Sequence, residues 1–490
     1  MGKKKSVVLM VLLTIVIVVL TALTVLPTFS IPGTPKKWQP VALQYDFGTD
    51  LGGGYYAYYY PEGVITQTEF ESNGESEEDY LKVGSLYLSK DEDDGIVSNG
   101  AVTEEFKTAF NAAAKEIANR FEAKGFSDYR LSIVDNYSIR VELPASQSSE
   151  VGSVMAYLAL TGEVDIQMSG ATVDELKEEG VTAKDLIKSV SVATKYKTAY
   201  MKVNFTSLGK SMIERVKEDL STAPTSSSAD TSSDVTLNIM IGEQVIAAVY
   251  QDTITSNNSE ARVLAVAQDY KATVETFAIL LNSALNNGGY DISFREVANS
   301  DIRAFEPVYG ENAVTLLYIA LAIVLVLVLV VPALVMGRYG LVASYSSLSY
   351  LIVVGMCFAF ITNGVFEITL GSVLVFLAGL VLMNALHYSV YGAIKKEFEN
   401  GRTVEASVKS GFNKTLWNTV DIYAVLLLGA LALLLGVAGT YTLALQAIIC
   451  VVTGAFCNLL WARAINYTFL SASKNKYKYF RFVREDDDDE

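Results

Sequence analysis

The chain has 490 residues, a formal net charge of −16, a pI near 4.7 and a mean hydropathy of +0.30. The acidic balance excludes a nucleic-acid partner, which needs a basic face, and the hydropathy is too high for a wholly aqueous protein. Three cysteines, Cys357, Cys450 and Cys457, all fall in apolar runs, and there is a single histidine, so no disulfide framework, metal site or cofactor is implied.

Met1–Lys5 carries three lysines, and Ser6–Leu26 is apolar. The run exceeds the roughly 7–15 residues of a cleaved signal core, and no small-x-small site follows, so residues 1–30 read as a cytoplasmic N-terminus with an uncleaved first span. Residues 31–312 read as an α+β domain. It starts with Tyr45–Tyr60, in which Asp46-Phe-Gly-Thr-Asp50-Leu51-Gly-Gly53-Gly54 leads into tyrosine-rich strand material. Glycines there mark close backbone approach or a bulge; a phosphate loop would need a following Lys-Ser/Thr. Strand alternation buries about half of the tyrosines. Glu69–Asp94 is acidic and reads as partly a solvated loop.

The spacing of Phe106, Phe110, Ala113, Ile117 and Phe121 predicts a helix from Thr103 to Ala123, stopped by Gly125. A hairpin follows, Arg130–Val134 and Ser138–Leu143 around Asp135-Asn136. Val151–Leu160 reads as a short helix, Lys195–Phe205 as a strand, Ser207–Leu220 as a helix and Ser221–Asp234 as a loop. Val235–Tyr250 reads as a hairpin turning at Gly242-Glu243. Ser259–Asn287 holds a long amphipathic helix stopped by Gly288-Gly289, and Tyr290–Val297 is the last strand. Helix then hairpin, later helix then strand, predicts a ferredoxin-like sheet with a head subdomain inserted at about 165–255.

Residues 313–468 contain five apolar runs: Val314–Met336, Leu341–Ile361, Ile368–Ile394, Leu416–Gly436 and Tyr441–Ile465. Each is long enough to cross a bilayer as a helix, and lipid leaves the backbone no other choice. The fold class is therefore a multi-pass α-helical membrane protein with six spans in a 1 + 5 layout and a large α+β domain. Lysines and arginines cluster at both termini and around Lys395–Lys414, whereas Thr362–Glu367 and Val437–Thr440 have none. The positive-inside rule places both termini in the cytoplasm, residues 27–312 outside it, and residues 469–490 as a cytoplasmic acidic-ended tail. Glu397–Phe412 reads as an amphipathic cytoplasmic helix.

Polar residues within spans are costly and single themselves out. Asn384, His387 and Tyr391 share one helix face; the next span carries Asn418 and Asp421. His387 lies eight residues before Lys395 and Asp421 seven after Lys414, so both sit roughly 10–12 Å in from the same membrane face. Antiparallel packing would bring them level as a proton relay; the plainer alternative is helix packing, or pairing of Asp421 with a partner-subunit arginine.

The chain resembles the SecD family, the membrane accessory subunit of the bacterial Sec translocase, related to proton-driven efflux pumps. The family motif Asp-Leu-Gly-Leu-Asp-Leu-x-Gly-Gly is similar to Asp46–Gly54, with Asp46, Asp50, Leu51, Gly53 and Gly54 kept. Asn119-Arg120 with Gly125, and Arg140-Val-Glu142-Leu-Pro144, resemble a second motif; Gly242–Val249 and Tyr339–Ala343 resemble two more. Six spans match the unfused SecD type rather than fused SecD–SecF. One departure stands out: aligned on Ile394, Ala385 occupies the place of the family's fourth-span aspartate and His387 that of its asparagine. The resemblance implies a non-enzymatic role in late protein export at the cytoplasmic membrane, driven by the proton motive force. It implies a SecF-like subunit, the translocon channel with its motor, and unfolded secretory polypeptides as partners. A lipid or small-molecule exporter of the same pump superfamily, and an uncoupled translocon scaffold, are the alternatives.

Overall fold

The computed structural model describes residues 3–25, 29–30, 37–38, 41, 45–126, 128–147, 151–161, 164–167, 180–195, 198–222, 235–241, 244–250, 253–255, 257–263, 271–287, 292–361, 367–436 and 440–473. The chain divides into two compact units, Met1–Gly53 with Glu306–Glu490, and Gly54–Phe305. Helix α1 (Lys3–Val25) and the single turn α2 (Thr49–Gly52) belong to the first.

The second unit is built on β1 (Gly54–Tyr59), α3 (Glu104–Lys124), β2 (Arg130–Val134), β3 (Ser138–Pro144), α4 (Lys271–Asn287) and β4 (Arg303–Phe305). The strands pair antiparallel in the order β4-β1-β3-β2, which with the two helices is the ferredoxin-like topology. Alternation makes the sheet two-faced. Ala57, Tyr59, Ile139, Val141 and Leu143 are fully buried, while Tyr56, Tyr58, Arg140 and Glu142 take the other face. There Arg140 pairs with Glu142 at 2.8 Å and stands over the Tyr56 ring at 4.5 Å. Asp135 and Asn136 both have positive φ (49° and 67°), as a type I′ hairpin requires. Thr103 caps α3 by accepting from the Phe106 amide, and Gly125 ends it at φ 87°.

Two segments differ from expectation, and a third carries more regular structure than its composition indicates. The acidic stretch is loop in part, but Val64–Thr66, Leu86–Ser89 and Tyr80–Val83 form a small antiparallel sheet beside a helix, Gln67–Asn73. Leu86 and Leu88 are buried and Phe70 stacks on Tyr87, but strands this short between acidic residues give no periodic signal. Residues 292–297 do not form the last strand; Phe294 makes one bridge to Pro61, and the edge strand is β4. Strand Thr198–Phe205 is flanked by Ile187–Lys195, its hairpin neighbour, and by Glu260–Val263, whose partner is remote in sequence; neither flanking strand was expected.

A second core, from Ile166 to Leu285, lies within this unit and shares α4, whose Val274, Phe277, Leu281 and Leu285 are buried in it. Val164–Gln167 joins the hairpin Val235–Ile241 with Gln244–Tyr250. The turn Gly242-Glu243, the stop Gly288-Gly289 and the Ser-rich loop beyond Thr222 lie outside the described residues. Arg120, 1% exposed, ties the helices together: its Nε donates to Ser283 of α4 at 2.7 Å, and its Nη1 donates to the carbonyls of Leu158 and Leu160.

In the first unit follow α5 (Ala313–Met336), α6 (Arg338–Ile361), α7 (Leu370–Glu399), α8 (Val404–Gly436), α9 (Tyr441–Phe456) and α10 (Ala462–Ala472). Among the described residues, six helices, the last of them formed by α9 running on into α10, are long and apolar enough to cross a membrane. α5 and α6 make a tight hairpin: a Cβ on Gly340 would lie 1.9 Å from the Pro332 carbonyl oxygen. α7 and α8 are joined by residues 400–403 alone, so the expected amphipathic helix at Glu397–Phe412 is instead the ends of two spans. Gly401 turns the chain at φ 89°, and buried Glu397 takes Arg402 at 2.9 Å and Lys414. α9 runs into α10 through a π-turn, Cys457–Trp461, whose Asn458 donates to the Tyr423 hydroxyl at 2.7 Å. The loops 362–366 and 437–439 and the tail 474–490 lie outside the described residues.

Candidate functional site

The Asp46–Gly53 segment is a latch on the N-terminus of α7. The Ile368 amide donates to the Asp46 carbonyl at 2.7 Å, and the Gly48 amide donates to the Ile368 carbonyl at 3.1 Å. The Asp50 carboxylate then accepts from the Leu370 amide at 2.7 Å. Leu370 is the first residue of α7, so its N–H has no partner within the helix, and a negative charge there also suits the helix dipole. Thr369 and Ser372 complete the cap reciprocally. Leu51 is buried beside Ala313, Ile368 and Val373, and burial holds the Asp46 carboxyl above the usual carboxylate range. Gly53 has φ 68°, and a Cβ on Gly54 would meet the Leu143 carbonyl oxygen at 2.1 Å. The motif glycines serve a left-handed turn and a close strand approach.

Farther along α7, Asn384 donates to Ser347 Oγ of α6 at 3.1 Å and to the Leu380 carbonyl at 2.9 Å. His387 is 1% exposed, edge-on to Tyr339, which stacks on Tyr391. Among the described residues its Nε2 has no hydrogen-bond partner. The three residues that the sequence placed on one face thus all meet α6, Asn384 at Ser347, and His387 and Tyr391 at Tyr339. Ser347 stands in a run of serines in α6, and that polarity inside an apolar helix is the signal that could have found it.

Asp421 and Asn418 stand apart. Equal steps on from Gly411 and back from Ile394, which touch, lead to Asp421 and Asn384, so the depth is common. The direction is not. Asn418 and Asp421 are exposed on α8 with Trp417 (70%) and Val425, and make no hydrogen bond or ion pair among the described residues. The buried stripe of α8 is Gly411, Thr415, Thr419 and Tyr423, every fourth residue. Small and hydroxyl residues at that spacing allow close helix approach, so the carboxylate turns outward. Ala385, at the place of the family's aspartate, is also exposed. The second motif is structural in its contacts: Arg140 and Glu142 pair across the sheet face, Pro144 pairs with Gly54, and Asn119 donates to Glu116. No group of three or more His, Cys, Asp or Glu side chains able to hold a metal lies among the described residues.

No family model matches this chain. It is 27% identical to protein translocase subunit SecD of Borreliella burgdorferi over 187 residues, which is 37% of this chain and 31% of that protein. A crystal structure of SecDF in a super-membrane-facing form matches with a TM-score of 0.52 at 16% identity, over 96% of this chain and 58% of that one, and shows the fold. SecDF of Thermus thermophilus matches at a TM-score of 0.42 and 18% identity, over 95% of this chain and 59% of that one. The matched region thus spans about a third of the curated relative and under two-thirds of the SecDF chains.

Proposed function

We propose that this chain is a member of the SecD/SecF family, an accessory subunit of the Sec protein translocase that helps secretory polypeptides emerge from the cytoplasmic membrane; the similarity to a SecD protein and the SecDF fold support this reading. In this reading residues 31–312 lie outside the cytoplasm and hold the emerging chain, and both termini lie inside. The partners are a SecF-like subunit, the translocon channel and its motor. The proton motive force supplies the drive: one charge moved across 100 mV is worth about 2.3 kcal/mol, enough to bias two conformations of the bundle.

The outward placement of Asp421 and Asn418 carries the reading. A carboxylate facing hydrocarbon costs roughly 2.5–3.5 kcal/mol on insertion scales. The bundle offers it no partner among the described residues, and a neighbouring transmembrane helix bearing a cation or donor removes that cost. Co-purification with a SecF-like protein, lost on Asp421→Leu, tests the partner. Secretion rates with and without a proton gradient, in wild type and Asp421→Asn, test the coupling. Loss of gradient dependence in the variant supports the reading; equal dependence removes Asp421 from the mechanism.

A second reading, an uncoupled scaffold, is favoured by two observations: Ala385 stands where the family has its acid, and His387 is buried against Tyr339 while Asp421 is exposed. Under it, wild-type secretion is indifferent to the gradient. His387→Leu separates the two further, since unchanged secretion in that variant rules out a relay through the histidine.

A further inference from the structure

A half-enclosed cavity of about 270 Å³ lies within the helix bundle, walled by α5, α6 and α7, with Thr21 of α1 and the latch residues Tyr45 and Phe47 at one end. Tyr45 is fixed there by its hydroxyl, which donates to the Gly355 carbonyl at 3.2 Å, and Phe47 meets Tyr318 edge to face. The lining is graded. Its polar groups, Thr21, Tyr45, Tyr318 and Ser372, belong to residues close to the helix ends or to the latch. Leu325, Leu348 and Leu380 line the deeper part, ten or more residues from those ends. At about 1.5 Å per residue, the cavity reaches from roughly 3 to 20 Å below the ends, close to the thickness of one leaflet.

We propose that this cavity binds one acyl chain of a bilayer phospholipid. An apolar cavity of this kind stays dry, since water needs two to four polar partners. One of roughly 150 Å³ accepts benzene, so this volume holds on the order of ten chain carbons. The gradient from hydroxyl-bearing rim to leucine floor matches that of a phospholipid in the same leaflet, whose ester groups lie above its chains. The lipid lies against Tyr45 and Phe47, so its chain supports the latch from below. The site requires only that the bundle sits in a bilayer, whatever its partners.

The test uses the full chain in nanodiscs of palmitoyl-oleoyl phosphatidylcholine containing a phosphatidylcholine with a mid-chain diazirine. After irradiation, adducts are mapped by mass spectrometry. Adducts on Leu321, Leu325 and Leu351, which line the cavity, are compared with adducts on Leu316, Ile319 and Ile323, which face outward. Wild type labels both sets. Leu351→Trp fills the cavity, and displacing even two buried methylenes lowers the ratio of inward to outward adducts about tenfold. Ala322→Phe, on a different and exposed wall, gives the same fall if Leu351→Trp does not fold. Absence of inward adducts in wild type, or an unchanged ratio in a folded variant, overturns the proposal.

Discussion

Asp50 satisfies an amide that no helix can satisfy for itself, and it does so from more than 300 positions away in sequence. Asp50→Ala should therefore cost about 1 kcal/mol, the usual worth of a lost cap, and Asp50→Asn less, since the carboxamide oxygen still accepts. Thermal unfolding in detergent reads both. Leu51→Ala should cost more, roughly 2–5 kcal/mol, because it empties a buried site. Glu69 offers a pH-dependent counterpart in the Gly54–Phe305 unit. Burial alone would raise its pKa, but hydrogen bonds from Arg295 and Thr66 outweigh burial and hold the carboxylate below its usual range. Its contribution is thus present above the unfolded value of about 4.3 and is lost as pH falls through the lower folded value. The difference in unfolding temperature between wild type and Glu69→Gln should shrink on acidification from neutral pH into that range; a constant difference would contradict the assignment.

At the level of helices and strands, length made the spans legible: each apolar run lies in a helix, though α8 begins at Val404, twelve residues before the expected Leu416, and α10 runs past Ile465 to Ala472. The hairpin at Asp135-Asn136 and the capped helix after Thr103 were equally readable, because their signals are local. The strand at Glu260–Val263 was not, since what makes it a strand is a partner elsewhere in the chain. The intramembrane cluster was half legible. Counting residues from the flanking lysines gave the depth of Asp421, but its direction depends on which stripe of α8 packs inward. In lipid that stripe is the small and hydroxyl one rather than the apolar one. The short α7–α8 connection was missed because Glu397, buried in an ion cluster, looks in sequence like a surface charge. Glu397→Gln should weaken that clamp, and hydrogen exchange at residues 400–403 should rise severalfold while the middle of α7 stays protected. Asn458→Leu leaves the buried Tyr423 hydroxyl without its donor at the π-turn and should cost about 1–3 kcal/mol.

For the molecule as a whole, the orientation proposed above has a direct check. Ser98 is exposed in the Gly54–Phe305 unit, so a Ser98→Cys chain should react with an impermeant maleimide in intact cells, and a Lys396→Cys chain, altered near the C-terminal end of α7, should not. The reverse pattern would place the Gly54–Phe305 unit in the cytosol. The latch has a mechanical consequence too. Asp46, Gly48 and Asp50 meet Ile368 and Leu370 through three hydrogen bonds along five residues. A pull on the Asp46–Gly52 segment is therefore delivered to the first turn of α7, the rod that carries His387. That short segment grips the end of the rod like a clasp, and neither can shift without the other.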